Sequence, residues 1–181
     1  MKQLGPTDLK RLHRDWNRRS RARVALLLDG VSSPFNVGAI VRTAAALRVS
    51  HLYLAGGALS PAHHRVGRTA MGTERYLTWS SLERGTDAVE AARADGYRVV
   101  GLELADAAVP LHRLEVTGDA CLVVGHEDHG IPPATLAACD AVAFVPQLGR
   151  VGSLNVATAA AMALYELRRR EWAVEDRAGG D

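Results

Sequence analysis

The sequence predicts a three-layer α/β/α domain built on a mostly parallel β-sheet. Three observations carry that expectation. Apolar runs such as Val24–Leu28, Ala120–Val124 and Ala141–Val145 lack the polar alternation of a half-exposed strand, so each needs cover on both faces. Segments of helical character alternate with these runs, as parallel crossover units require. Loops rich in Gly, Pro, Asn or Ser follow three of the strands, at 29–37, 125–132 and 146–153. Ligands of such folds bind beyond the carboxyl ends of the strands.

The elements follow in order. Residues 1–23 read as a polar helical arm that starts at Pro6-Thr7-Asp8. Its weak apolar stripe (Leu4, Leu9, Leu12, Trp16) suits docking on the body or on a second subunit. Val24–Leu28 is the first strand, and Val31–Asn36 has loop chemistry. Val37–Leu47 is an alanine-dense helix and Ser50–Ala55 the second strand, which completes a crossover unit of about thirty residues. Gly56–Gly72 is a loop with a helical turn near Arg68–Met71, and Arg75–Trp79 a third strand. Ser81 caps a helix to Ala94, stopped by Asp95-Gly96. Tyr97–Leu104 is a strand, and Pro110–Leu114 is ambiguous. After Ala120–Val124, Pro132-Pro133 opens a short helix through Ala138. Ala141–Val145 is the last strand. A long helix over Ser153–Arg170 closes a domain at 24–171, and a polar tail follows at 172–181.

At 181 residues and 19.4 kDa the chain fits one domain with a substantial core. A composition of 48% hydrophobic and 23% charged residues excludes a wholly disordered or collagen-like chain. No apolar stretch is long enough to span a bilayer, and the first twenty residues lack the apolar core of a secretory signal. Two cysteines, Cys121 and Cys139, are too few for a disulfide scaffold, so the simple expectation is a reduced, cytoplasmic protein. Charge is unevenly spread. The arm holds eight basic residues against two acidic ones, while the remainder holds 14 against 18. A positive arm on a mildly acidic body fits a polyanion partner, and equally a solvated basic tail.

Several residues stand out before any family is considered. Asn36 lies at a helix start, where Asn commonly caps. Arg42 sits among Ile40, Val41, Ala44 and Ala45, so it needs a partner or ligand unless it lies on an exposed face. His126-Glu127-Asp128-His129 lacks the spacing of a zinc hydrolase, and no metal site is expected there. Glu127, at a strand end, is suited to orienting a polar group or holding an arginine. Ser153 reads as the N-cap of the last helix, with Asn155 beside it. Dinucleotide and P-loop signatures are absent, and the tyrosines are scattered with no aromatic ladder.

Asn36-Val37-Gly38-Ala39-Ile40-Val41-Arg42-Thr43-Ala44, Leu122-Val123-Val124-Gly125-His126-Glu127-Asp128-His129-Gly130-Ile131 and Val145–Ala157 stand in this order. Together they resemble the three motifs of the SpoU-type (TrmH-like) RNA 2'-O-ribose methyltransferases of the SPOUT superfamily. The resemblance covers about 24–171. It implies a C-terminal deep trefoil knot, which general rules on chain topology would otherwise reject. It also implies a homodimer, S-adenosyl-L-methionine as cofactor and no metal. Cofactor contacts would come from Leu104, from Gly125, His126 and Glu127, and from Val145, Gln147, Leu148, Ser153 and Leu154. Arg42 would handle the ribose 2'-hydroxyl, Asn36 would orient Arg42 or the ribose, and Glu127 would hold the hydrogen-bond network. Ser153 and Asn155 would position substrate-side groups. His126 and Asp128 depart from the commonest pattern, whereas Glu127 and both flanking glycines stand. With no separate RNA-binding domain in the sequence, the resemblance favours tRNA over ribosomal RNA. Lys10, Arg11, Arg14, Arg18 and Arg19 of the arm, with Arg168 and Arg169 near the other end, are the expected phosphate contacts.

Overall fold

The computed structural model describes residues 2–178. Among these, the strands are β1 (Val24–Asp29), β2 (His51–Ala55), β3 (Trp79–Ser81), β4 (Arg98–Leu102), β5 (Val109–Pro110), β6 (Ala120–Val124) and β7 (Ala141–Phe144). The helices are α1 (Pro6–Arg18), α2 (Pro34–Ala46), α3 (His64–Ala70), α4 (Gly85–Ala94), α5 (Pro133–Ala138) and α6 (Val156–Ala178). All seven strands join one sheet in the order β3-β2-β1-β6-β4-β7-β5, and every neighbouring pair is parallel.

The central strand shows why the sheet is covered twice. Every residue of β1 is buried. Leu26 and Leu28 face α2 (Val37, Ile40, Val41) and α6 (Ala160, Ala163, Leu164). Ala25 and Leu27 face α4 (Ala88, Val89, Ala92) and α5 (Leu136) on the other side. Each buried leucine contributes roughly 1.5–3 kcal/mol from transfer alone. Helix α3 approaches α2 at Gly38, where a Cβ would come within 2.6 Å of Thr69 Cβ and 2.9 Å of the Val66 carbonyl oxygen. Because the strands are all parallel, their carboxyl ends lie along one edge, and the loops after β1, β4, β6 and β7 gather there.

Several elements differ from expectation for identifiable reasons. Helix α2 begins at Pro34, with Ser33 as its cap, so Asn36 lies inside the first turn. Arg42 sits on the exposed face of that helix, which removes the need for a buried partner. Strand β3 starts at Trp79 because Thr73–Tyr76 forms a 3₁₀ turn; Ser81 therefore ends a strand, and α4 starts at Gly85. The ambiguous Pro110–Leu114 stretch contains the end of β5 and a 3₁₀ turn over Leu111–Arg113. Helix α6 begins at Val156 rather than Ser153 and continues to Ala178. Residues 172–178 are thus helical rather than a tail, and 179–181 lie outside the described residues. Helix α1 has no buried residue. It docks on its own chain through Trp16, whose ring lies 4.7 Å from that of Trp172.

Candidate active site

Three distant segments meet at the carboxyl ends of β1 and β6. The Glu127 carboxylate accepts hydrogen bonds from the Ser33 amide (3.0 Å), the Asn36 side-chain amide (3.0 Å) and, at 3.3 Å, the Ser32 amide. Asn36 Oδ1 accepts in turn from Asn155 Nδ2 at 2.9 Å. Asn155 Oδ1 accepts from the amides of Ala157 (3.0 Å) and Thr158 (3.2 Å), so Asn155, not Ser153, caps α6. A Glu–Asn–Asn chain therefore ties the β6 loop to the starts of α2 and α6. Asn36 is only 6% exposed and its amide orientation is fixed from both sides. Burial pulls the Glu127 pKa up, but the Asn36 side chain, its own backbone N–H and the amides of Ser33 and Ser32 outweigh it, so the group lies below the usual carboxylate range.

The loop after β6 is shaped by its glycines. A Cβ on Gly125 would fall 2.1 Å from the Gly130 carbonyl carbon and 2.2 Å from the Ile131 nitrogen. His126 and Gly130 exchange backbone hydrogen bonds across this tight loop. The imidazoles are occupied within it: His126 Nδ1 accepts from the Asp128 amide at 3.0 Å, and the rings of His126 and His129 stack. Among the described residues, no group of three or more His, Cys, Asp or Glu side chains could hold a metal.

Beside this network lies a small cavity between the ends of β4 and β7 and the start of α6. Leu104, Val145, Gln147, Ser153 and Leu154 of the expected cofactor set line it together with Glu103. Gly125, His126 and Glu127 do not, and the Leu148 side chain is fully exposed, so a contribution from Leu148 reduces to its backbone. Two features fit a cationic adenosyl cofactor. Gln147 Oε1 is buried without a hydrogen-bond partner. Glu103 places a carboxylate in the wall, accepting from the Leu104 amide (3.0 Å) and the Ile131 amide (2.9 Å), and so joins two of the loops. Sequence reasoning passed over Glu103 because a lone acid after a strand carries no signal of its own.

Arg42 does not line this cavity. Its Nη1 lies 3.2 Å from Met71 Sδ, and it lines a second cavity with Trp16 and Tyr165. Of the expected phosphate contacts, Lys10, Arg11 and Arg14 are exposed on α1, Arg18 pairs with Asp15, and Arg19 lies over the Trp16 ring. Arg168 is a correction. It is 2% exposed and donates to the carbonyls of Leu47, Ala22 and Arg48 and to Glu171. It locks the end of α2 and the arm–β1 junction onto α6 and is closed to RNA. Arg169 is bound in a two-pronged pair to Glu166, which Arg170 also contacts, so this cluster offers less free charge than its sequence suggests.

A family model described as the SpoU rRNA Methylase family matches residues 23–165. The chain belongs to this family. The SpoU fold here is the three-layer parallel architecture of the superfamily that carries a C-terminal trefoil knot. The chain is 33% identical over 148 residues to the 23S rRNA (guanosine-2'-O-)-methyltransferase RlmB of Acinetobacter baylyi, covering 80% of this chain and 59% of that protein. It is 30% identical over 169 residues to the tRNA (guanosine(18)-2'-O)-methyltransferase of Escherichia coli, covering 92% of this chain and 72% of that one. The crystal structure of an AdoMet-bound rRNA methyltransferase from Sinorhizobium meliloti matches with a TM-score of 0.77 at 30% identity, over 84% of this chain and 58% of that one. This SpoU chain thus spans about three-fifths to three-quarters of the length of these relatives.

Proposed function

We propose that this protein transfers a methyl group from S-adenosyl-L-methionine to a ribose 2'-hydroxyl of RNA, acting as a homodimer on tRNA ahead of ribosomal RNA. The observation that carries the reading is the Glu127–Asn36–Asn155 chain beside a cavity walled by Glu103, Gln147, Ser153 and Leu154. When bound, the cofactor supplies an already activated methyl group, so the protein's task is alignment and charge placement. The orphan oxygen of Gln147 and the apolar side chains of Leu104, Val145 and Leu154 would hold it. Ionised Glu127 fixes the Asn36 amide, which leaves one Nδ2 hydrogen for a ribose oxygen. Asn155 fixes the entry to α6, and Ser153 lines the cavity beside it. The 2'-oxygen would gain the methyl group and lose its proton to bulk water, the methyl donor leaving as the neutral thioether. Arg42 stabilises the charge that develops on that oxygen, as a donor that stays protonated.

Arg42 is exposed where Asn36 is buried, and it does not line the cavity beside the Glu127 network, which is why the reading includes a second copy to supply it. The exposed Lys10, Arg11 and Arg14 support an RNA substrate, and the longer alignment with the tRNA enzyme supports tRNA. The higher identity to ribosomal RNA enzymes keeps that substrate as the second reading. No helix among the described residues is long and apolar enough to cross a membrane. The test is methyl incorporation into separated tRNA and ribosomal RNA from cells lacking the gene. Wild type is expected to label tRNA, and Arg42→Ala to lose at least about 100-fold while keeping its fold and cofactor affinity. Label in ribosomal RNA alone selects the second reading; full activity of Arg42→Ala removes Arg42 from the mechanism.

A further inference from the structure

The mildly acidic body of this chain has one long stretch without acids. No Asp or Glu lies between Asp29 and Glu74, although residues 24–181 as a whole hold 14 basic residues against 18 acidic ones. Four arginines fall in the stretch: Arg42, Arg48, Arg65 and Arg68. Several arginines elsewhere in the body are matched, Arg23 with Asp119, Arg84 with Asp87, Arg93 with Asp140 and Arg169 with Glu166. Arg48 is held by the carbonyls of Asn17 and Ser20. Arg65 and Arg68 are exposed and have neither kind of partner among the described residues.

Both stand on α3, three residues apart, so they share one face with about 5–6 Å between their Cβ atoms. The other side of the helix is sealed. Val66 and Ala70 are buried, and Thr69 and the Val66 carbonyl press on Gly38 of α2. His63 caps the start of α3: its Nδ1 accepts from the Arg65 amide at 3.2 Å, which leaves Nε2 to carry the ring proton. The exposed His64 ring stacks on it at 4.5 Å. Burial, and then the charges of His64 and Arg65, hold the His63 pKa below its usual value, the mark of a local positive field. At the other end, Met71 closes α3 with φ 55° and brings its sulfur to 3.2 Å from Arg42 Nη1. Arg42 follows Gly38 by one turn of α2, on the side that α3 covers. The cations of α3 therefore lead to Arg42, and Glu74, the acid that ends the stretch, turns one carboxylate oxygen inward.

We propose that the exposed face of α3 holds phosphates of the RNA substrate, through Arg65 and Arg68 with the His63–His64 pair, and leads the strand to Arg42. The inference rests on the methyltransferase reading and names a surface that carries its substrate. Guanidinium groups without carboxylate partners suit phosphate, because no ion pair has to be broken before they bind it. An RNA backbone fits better than an acidic protein, because the surface ends at the residue that the reading places on a ribose. Contacts of this kind set register and orientation, not sequence preference.

The test uses the full chain with bulk tRNA and, separately, bulk ribosomal RNA, and measures binding by filter retention over a series of salt concentrations. Arg65→Gln/Arg68→Gln should bind about tenfold more weakly at about 0.1 M salt, and the slope of log affinity against log salt should shrink by about 1.5. Arg65→Lys/Arg68→Lys should restore the slope, which counts charges and not shapes. Both variants should keep the melting temperature and the S-adenosylmethionine affinity of wild type, since both side chains are exposed and outside the cofactor cavity. An unchanged affinity and slope in the Gln variant overturns the proposal, as does a slope that lysine leaves unrestored, or a wild type that binds neither RNA. So does a Gln variant that sediments as a smaller species than wild type, because this face would then meet a second copy. The two readings fail separately. Salt-sensitive binding through Arg65 and Arg68 without methyl transfer to any RNA would sink the enzymatic reading. Methyl transfer with an unchanged RNA KM in the Gln variant would sink the α3 surface alone.

Discussion

Glu127→Ala probes the join between three segments of the chain. The substitution removes the acceptor for the amides of Ser33 and Ser32 and for the Asn36 side chain. Hydrogen bonds to a charged group are worth about 1.5–3 kcal/mol each. Two of the three have good length and the third is long, while water can reach the half-buried carboxylate and will replace part of what is lost. Asn36 is buried and keeps an unsatisfied amide hydrogen, so a net loss of about 2–3 kcal/mol is expected. For a chain of this size that is a fall in Tm of roughly 5–10 °C. The pH dependence has a definite sign. The folded pKa of Glu127 is depressed, so its contribution is present above the unfolded value near 4.3 and is lost as pH falls through the folded value. Thermal melts of wild type and Glu127→Ala should therefore differ at pH 7 and converge in acid. A double-mutant cycle with Asn36→Ala should give a coupling of about 1 kcal/mol. Equal melting temperatures at pH 7, or additive effects of the two substitutions, would refute the argument.

Arg168→Met should cost about 3–5 kcal/mol in denaturant unfolding, because the carbonyls of Leu47, Ala22 and Arg48 and the Glu171 carboxylate lose their donor; weaker RNA binding at unchanged stability would contradict this. The Arg169 hydrogen bond, with help from Arg170 and against a burial penalty, holds Glu166 at about 2. Its stabilisation is present above the unfolded pKa near 4.3 and is lost as pH falls towards 2. Glu166→Gln should lose roughly 1–2 kcal/mol at pH 7, allowing for solvent screening of half-exposed Arg169, and show a flatter acid transition by circular dichroism. Glu103→Gln should bind S-adenosylmethionine about tenfold more weakly by calorimetry but S-adenosylhomocysteine nearly as well, because only the former carries the sulfonium charge; equal losses would make Glu103 a purely structural brace.

The middle of the sheet was legible because its strands are apolar throughout. Val24–Leu28 and Ala120–Val124 can only be buried on both faces, and both sit in the middle of the sheet. Helix starts were less legible. Ser33-Pro34 carries a cap and a first-turn proline, yet Asn36 drew the eye as the more familiar motif residue. The Glu127–Asn36–Asn155 chain joins positions 91 and 119 residues apart, so composition and spacing are silent on it and the family resemblance alone pointed there. Arg168 was misread for a physical reason. A run of three arginines looks solvated, but Arg168 turns inward, where three main-chain carbonyls and the Glu171 carboxylate accept from it. The second cavity, the one that Arg42 lines, was invisible for the opposite reason: its rings come from α1, a 3₁₀ turn and α6, and only the docking of α1 on α6 brings them together.

The most direct measurement is nucleoside mass spectrometry on RNA incubated with the purified protein and isotopically labelled S-adenosylmethionine. A nucleoside carrying the label on its ribose 2'-oxygen, formed by wild type and not by Arg42→Ala, is the predicted result. Label on a base, or no transfer to tRNA, ribosomal RNA or their precursors by a protein that binds the cofactor, would contradict the account.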